Sequence, residues 1–105
     1  MKATVTMAAR LDSVAAIDFY DSKPERRGDD VLADFDQVVS GIADAPRRHS
    51  LVEDSRPGFE ARKGYTERFQ QRVIFVIFGE EAFVITVVHA DRRPGAWHRR
   101  LDTFQ

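Results

Sequence analysis

The stretch RVIFVIFGEEAFVITVVH, residues 72–89, decides the fold. Two runs of β-branched and aromatic residues flank Gly79-Glu80-Glu81, the pattern of an antiparallel hairpin closed by a tight turn. Side chains alternate along a strand, so Val73, Phe75 and Ile77 share one face while Ile74, Val76 and Phe78 share the other. The return run, 82–89, is also apolar on both sides. A hairpin of this kind belongs inside a sheet whose two faces are both covered.

Upstream lies what covers one of them. KATVTM at 2–7 reads as a short strand. Residues 8–21 fit a helix with a broad apolar face of Leu11, Val14, Ala15, Phe19 and the neighbouring Ile17 and Tyr20. In SKPE, Ser22 can cap a second helix, with Pro24 in its first positions and Glu25 completing a capping box. That helix carries Val31, Leu32, Phe35, Val38, Val39 and Ile42 at helical spacing. Asp29, Asp30, Asp34 and Asp36 stand mostly opposite, and Pro46 ends it. Two helices so closely joined form an antiparallel hairpin. Residues 45–58 read as a loop, 59–62 and 66–69 as short strands, and Pro94 as the start of a last helix carrying Trp97 to Phe104.

The expected architecture is α+β, in the order β-α-α-β-β-β-β-(α), as a single domain over 1–105. The helical hairpin packs on one face of a mainly antiparallel sheet. One hairpin covers one face only. The other needs the C-terminal helix, a second copy or a separate chain, since so large an apolar face is unusual on a monomer. A protein partner is the reading favoured here.

Composition sets the outer bounds. The chain has 105 residues, 43% hydrophobic and 31% charged, with a net charge of −1. That charge argues against strong direct nucleic-acid binding. The first 54 residues carry seven Lys/Arg against eleven Asp/Glu, and the remainder nine against six, so cations gather late. No apolar run suits a signal peptide or a membrane span, so no membrane partner is expected. With no cysteine there is no disulfide or thiolate, and a cytoplasmic location is the default.

Chemistry-bearing motifs are sparse. His49, His89 and His98 are the histidines, and the set His89, Asp91 and His98 matches no established ligand spacing, so no metal is expected. No nucleophile elbow or glycine-rich phosphate loop is present, and no cofactor is expected. The arginines remain. Arg62, Arg68 and Arg72 lie on or beside strands, while Arg92, Arg93, Arg99 and Arg100 follow the last one. Such clusters bind phosphate, and Trp97 or Tyr65 can offer a base a stacking face. On composition alone, solvation of a sheet edge is the simpler account of these cations.

Three segments together resemble the RelE/ParE superfamily of type II toxin–antitoxin toxins, in its plasmid stabilisation branch. AARLDSVAAIDFYDS (8–22) is similar to the family's opening helix. IADAPRR (42–48) is similar to the end of its second helix, and RVIFVIFGEEAFVITVVHADRRPGAWHRR (72–100) to its closing hairpin. The resemblance implies a growth inhibitor neutralised by a cognate antitoxin, with Phe19, Tyr20, Ile74, Val76 and Phe78 as antitoxin contacts.

A RelE-like member would cleave mRNA on the ribosome, with Arg72, Arg92 and Lys63 as the catalytic candidates. A ParE-like member would inhibit DNA gyrase by protein contact. For target contact the candidates are Arg62, Arg68, His89, Arg93, Trp97 and His98. Trp97 stands where RelE-like members place a tyrosine and has no phenolic proton, which favours the ParE-like reading. An alternative of another class is a small dimeric ferredoxin-like enzyme or ligand-binding domain.

Overall fold

A computed structural model of the chain describes residues 1–53, 56–92 and 97–104. Its elements are β1 (Lys2–Val5), α1 (Met7–Asp21), α2 (Gly28–Asp44), a 3-10 turn (Pro46–Arg48), β2 (Ser50–Leu51), β3 (Glu60–Tyr65), β4 (Gln71–Phe78), β5 (Glu81–His89) and a C-terminal 3-10 segment (Trp97–Phe104). The five strands form one sheet in the order β1-β5-β4-β3-β2. All neighbours are antiparallel except β1, which runs parallel to β5 with Lys2 opposite Glu81. The expected α+β order holds. Two consecutive helices between the first strand and the rest exclude the alternating layout of a ferredoxin-like domain.

The β4–β5 hairpin forms as its sequence demands, with Gly79 at φ 64 in the turn. Other strands differ from expectation. Residues 59–62 and 66–69 do not make two strands; Glu60–Tyr65 is one strand and the next residues are a turn. Thr66 and Gln71 close that turn through N–H to C=O at 2.9 Å and N–H to Oγ1 at 2.8 Å. The buried carboxylate of Asp34 accepts the Arg68 and Phe69 N–H groups, both at 3.0 Å, so α2 holds the turn. The missing strand comes from the expected loop, as the two-residue β2.

The second helix also starts later than its capping box suggests. Ser22 terminates α1 instead, and its hydroxyl donates to the Phe19 carbonyl. The first N–H of α2, at Gly28, donates to the Asp21 carboxylate at 2.8 Å. An acid from α1 does the capping, so the helices are joined by a side chain as well as by backbone.

Phe35 and Ile42 of α2 pack with Val73, Phe75 and Ile77 of β4 and with Ala82, Val84 and Val87 of β5. From α1 only Ala9 joins this core. The apolar face expected for α1 is not the buried one: Leu11 and Val14 are exposed, and Ala9 and Ser13 are buried. Small side chains let the helix approach α2 and β5 closely, which turns the larger ones outward. Gly64 of β3 serves the same layer. A Cβ there would sit 2.9 Å from His49 Cδ2, and the His49 ring is itself held edge-on to Phe75 at 5.4 Å. Gly64→Ala is expected to cost about 1–3 kcal/mol. The measurement is a lower urea midpoint with an unchanged denaturant slope.

The second sheet face is covered from within. Ile74, Val76 and Ile85 form a separate core with Val52, Ala61, Trp97 and Leu101. The inference of a protein partner from a bare face is thereby corrected, because the C-terminal segment is the cover. An eight-residue 3-10 run is unusual on hydrogen-bonding grounds, and here its Trp97 and Leu101 are at 2% and 0% exposure.

A bulge in β5 anchors that cover. Thr86 pairs with Ile74 and Val84 with Phe75, leaving Ile85 as the extra residue. Beyond the end of β1 this edge of β5 has no strand beside it among the described residues. The Ile85 carbonyl accepts from Arg100 at 2.7 Å, and the Val87 N–H donates to Asp12 at 3.0 Å. Arg100 and Asp12 join through two hydrogen bonds, at 2.6 and 3.2 Å. α1, the sheet edge and the C-terminal segment therefore meet at one ion pair.

Candidate functional site

The register places Lys63 opposite Ile74 and Tyr65 opposite Arg72. All four belong to the face that the C-terminal segment covers, but the segment stops short of its polar end. There Tyr65 is exposed and Lys63 and Arg72 are half-buried. The Arg72 guanidinium lies 5.8 Å from the Tyr65 ring centroid, donates to its hydroxyl at 3.4 Å and to the Ala90 carbonyl at 3.2 Å. A cation, a phenol and an ammonium thus share one open corner of sheet. Arg92 is exposed just past β5, its N–H bound to the His89 carbonyl at 2.9 Å.

Of the target-contact candidates, two have structural employment. Arg62 donates to Glu60 at 2.8 Å and to the carbonyls of Arg47 and His49, tying β3 to the chain before β2. Arg47 holds Glu60 from the other side at 2.9 Å, and these two guanidiniums, Arg47 first, keep the Glu60 carboxyl below its ordinary range. Trp97 is the other. Placed by the sequence on a working edge, it is buried under the sheet, and its indole N–H has no partner among the described residues. A side chain so enclosed offers neither a target contact nor a proton.

Arg68 is exposed, 3.7 Å from Asp30, with its guanidinium 5.6 Å from the Phe69 ring. His89 ends β5 half-buried and accepts from the Asp91 N–H at 3.2 Å. His98 stacks on Trp97 with ring centroids 3.9 Å apart, and its carbonyl accepts from Arg56 at 2.8 Å. Arg93, and the Pro94 expected to open the last helix, lie outside the described residues.

The antitoxin-contact candidates divide in the same way. Ile74 and Val76 have 0% exposure beneath Trp97 and Leu101, so no partner reaches them while the segment is seated. Phe78 lies beyond its end, 52% exposed. Phe19 is exposed at the close of α1, edge-on to Tyr20 at 5.3 Å, and Tyr20 is edge-on to Phe69 at 4.9 Å. Lys23 stands 4.6 Å from the Phe19 ring centroid. This ladder of rings is an accessible, semi-rigid surface of the kind that protein partners use.

Sequence reasoning missed Asp12 and Arg100 as a pair, since nothing local links residues 88 positions apart. The hydrogen bonds it donates to Asp12 raise the Arg100 pKa, so that guanidinium is a fixed charge on this edge. A hollow lined by Asp34, Gln37, Val38 and Glu67 gathers carboxylates, and that of Asp34 already holds the turn after β3. No helix among the described residues is long and apolar enough to cross a membrane.

No protein-family model and no curated protein matches the chain. Among solved structures, a chain of the chromosomal ParDE TA system from P. aeruginosa superposes with a TM-score of 0.72 at 18% identity. The match covers 87% of this chain and 97% of that one. The likeness is one of fold, over nearly the whole of both.

Proposed function

We propose that the protein is the toxin of a type II toxin–antitoxin pair, neutralised by a cognate antitoxin and acting ParE-like on DNA gyrase in the cytoplasm. The observation that carries this reading is the fold shared with the ParDE chain across 87% of the sequence. Burial of Trp97 supports the choice of gyrase, since no titratable side chain occupies its position and a protein–protein contact needs none. The antitoxin has Phe19 and Phe78 as exposed anchors, with Tyr20 behind the first. Purified protein is expected to inhibit supercoiling by gyrase, and addition of the antitoxin to relieve it. Unimpaired supercoiling at saturating protein overturns the gyrase assignment.

One observation favours a second reading, a RelE-like ribosome-dependent endoribonuclease. Tyr65 restores a phenol beside Arg72, on the same face as Lys63, from a strand rather than from the C-terminal segment. In a translating extract that reading expects mRNA cleavage, lost by a hundredfold or so in Arg72→Ala, the order for a residue stabilising transition-state charge. Intact mRNA with the unaltered protein ends it.

A further inference from the structure

α1 has an apolar stripe that the fold does not use. At helical spacing Met7, Leu11 and Val14 stand opposite the buried Ala9 and Ser13, at 71%, 61% and 45% exposure. A surface helix normally puts charged or polar residues there. The neighbouring Ala15 is also exposed and small, which lets a second helix approach along this side.

The charges around the stripe say what fits it. Arg10 and Asp18 are both exposed, and neither side chain has an ion-pair or hydrogen-bond partner among the described residues. Each lies four positions from Val14, one toward either end of the helix. When two copies of α1 lie antiparallel about Val14, Arg10 of one is level with Asp18 of the other at both ends. A parallel pair would set Arg10 against Arg10 and Asp18 against Asp18. The stripe is therefore complementary to itself in one orientation only, the property an isologous twofold interface requires.

We propose that α1 is a self-association surface, through which two copies of this chain form an antiparallel, twofold-symmetric dimer. Leu11 and Val14 fill its centre, Met7 lies toward its ends, and Arg10 pairs across it with Asp18. The inference rests on the geometry of α1 and not on the toxin assignment. One helix pair buries less than the roughly 1,200–2,000 Å2 of a standard interface, so a dissociation constant of micromolar order is expected.

Sedimentation velocity of the full chain, from about 1 to 200 μM to bracket that constant, reads the equilibrium directly. A monomer–dimer transition is expected within the range. Leu11→Glu should weaken it at least tenfold, by placing a charge in the centre of the contact. Arg10→Glu and Asp18→Arg should each weaken it severalfold, and the double variant should restore it, because reversal of both signs regenerates the pairs. These sites are exposed, and unchanged emission from Trp97 in each variant shows that the fold is retained. A monomer throughout overturns the proposal, as does a dimer indifferent to Leu11→Glu or a double reversal without rescue. So does loss of antitoxin binding in Leu11→Glu with self-association intact, which would give the stripe to the antitoxin.

Discussion

Trp97→Ala is expected to lower the free energy of unfolding by about 3–5 kcal/mol, the range for removing a large buried aromatic side chain. The indole has 2% exposure and shares its core with Ile74, Val76, Ile85 and Leu101. Its loss removes the largest group that the C-terminal segment sets against the sheet, leaving Leu101 to hold the cover. Two readouts separate local from global failure. Thermal unfolding reports the stability, and binding of an apolar dye at a temperature where helix content persists reports an uncovered face. Trp97→Phe should be far milder, about 1 kcal/mol, because the indole N–H has no partner among the described residues and burying it unpaired is itself unfavourable. Near-equal losses for the two substitutions would mean that this ring does not hold the segment down.

Asp12→Ala is the second large effect, about 2–3 kcal/mol. One carboxylate satisfies the Val87 N–H and both nitrogens of the Arg100 fork. Removing it leaves a donor at the β5 bulge unpaired and takes the carboxylate from an arginine that also donates to the Ile85 carbonyl and the Thr86 hydroxyl. The pair is partly exposed, which keeps the cost below that of a fully enclosed one. Asp12→Asn retains an acceptor for the Val87 N–H while losing the charge, so it should recover about half of the loss. The chain has a single tryptophan, and its emission reports the seating of the C-terminal segment. In Asp12→Ala the emission should shift red at a lower urea concentration than the loss of helix. Coincident transitions would place the ion pair in the global fold rather than at the cover.

Legible in the sequence is what neighbours along the chain decide. The β4–β5 hairpin is local: two apolar runs and a glycine at positive φ suffice, and it forms as expected. The order of elements was legible for the same reason. The errors arise where a distant side chain intervenes. Residues 66–69 look like strand in sequence yet form a turn, because Asp34, on α2, holds it. α2 starts later than the capping box at Ser22 suggests because Asp21 does the capping in its place.

In sequence, the cations around Trp97 make it look like part of a working surface. An aromatic residue beside arginines looks the same in sequence whether it faces solvent or core. Only a position beneath Ile74 and Val76 tells them apart. The corner of Lys63, Tyr65 and Arg72 was half legible: the residues were singled out, but their common face depends on β3 ending at Tyr65 rather than breaking into two strands.

The parallel pairing of β1 with β5 has a consequence for how the molecule comes into being. A ribosome delivers the chain from its N-terminus, at roughly 5–20 residues per second. β1 emerges before β5, yet β5, which starts at Glu81, is its neighbour in the sheet among the described residues. Joining them closes a loop that contains both helices and three strands, and the entropy of that closure is met only by contacts made afterwards. A nascent chain halted before Glu81 has neither the partner of β1 nor the strand on which the cover is anchored. Completion of the sheet thus waits for β5, and synthesis of that strand sets the earliest moment at which the sheet can close.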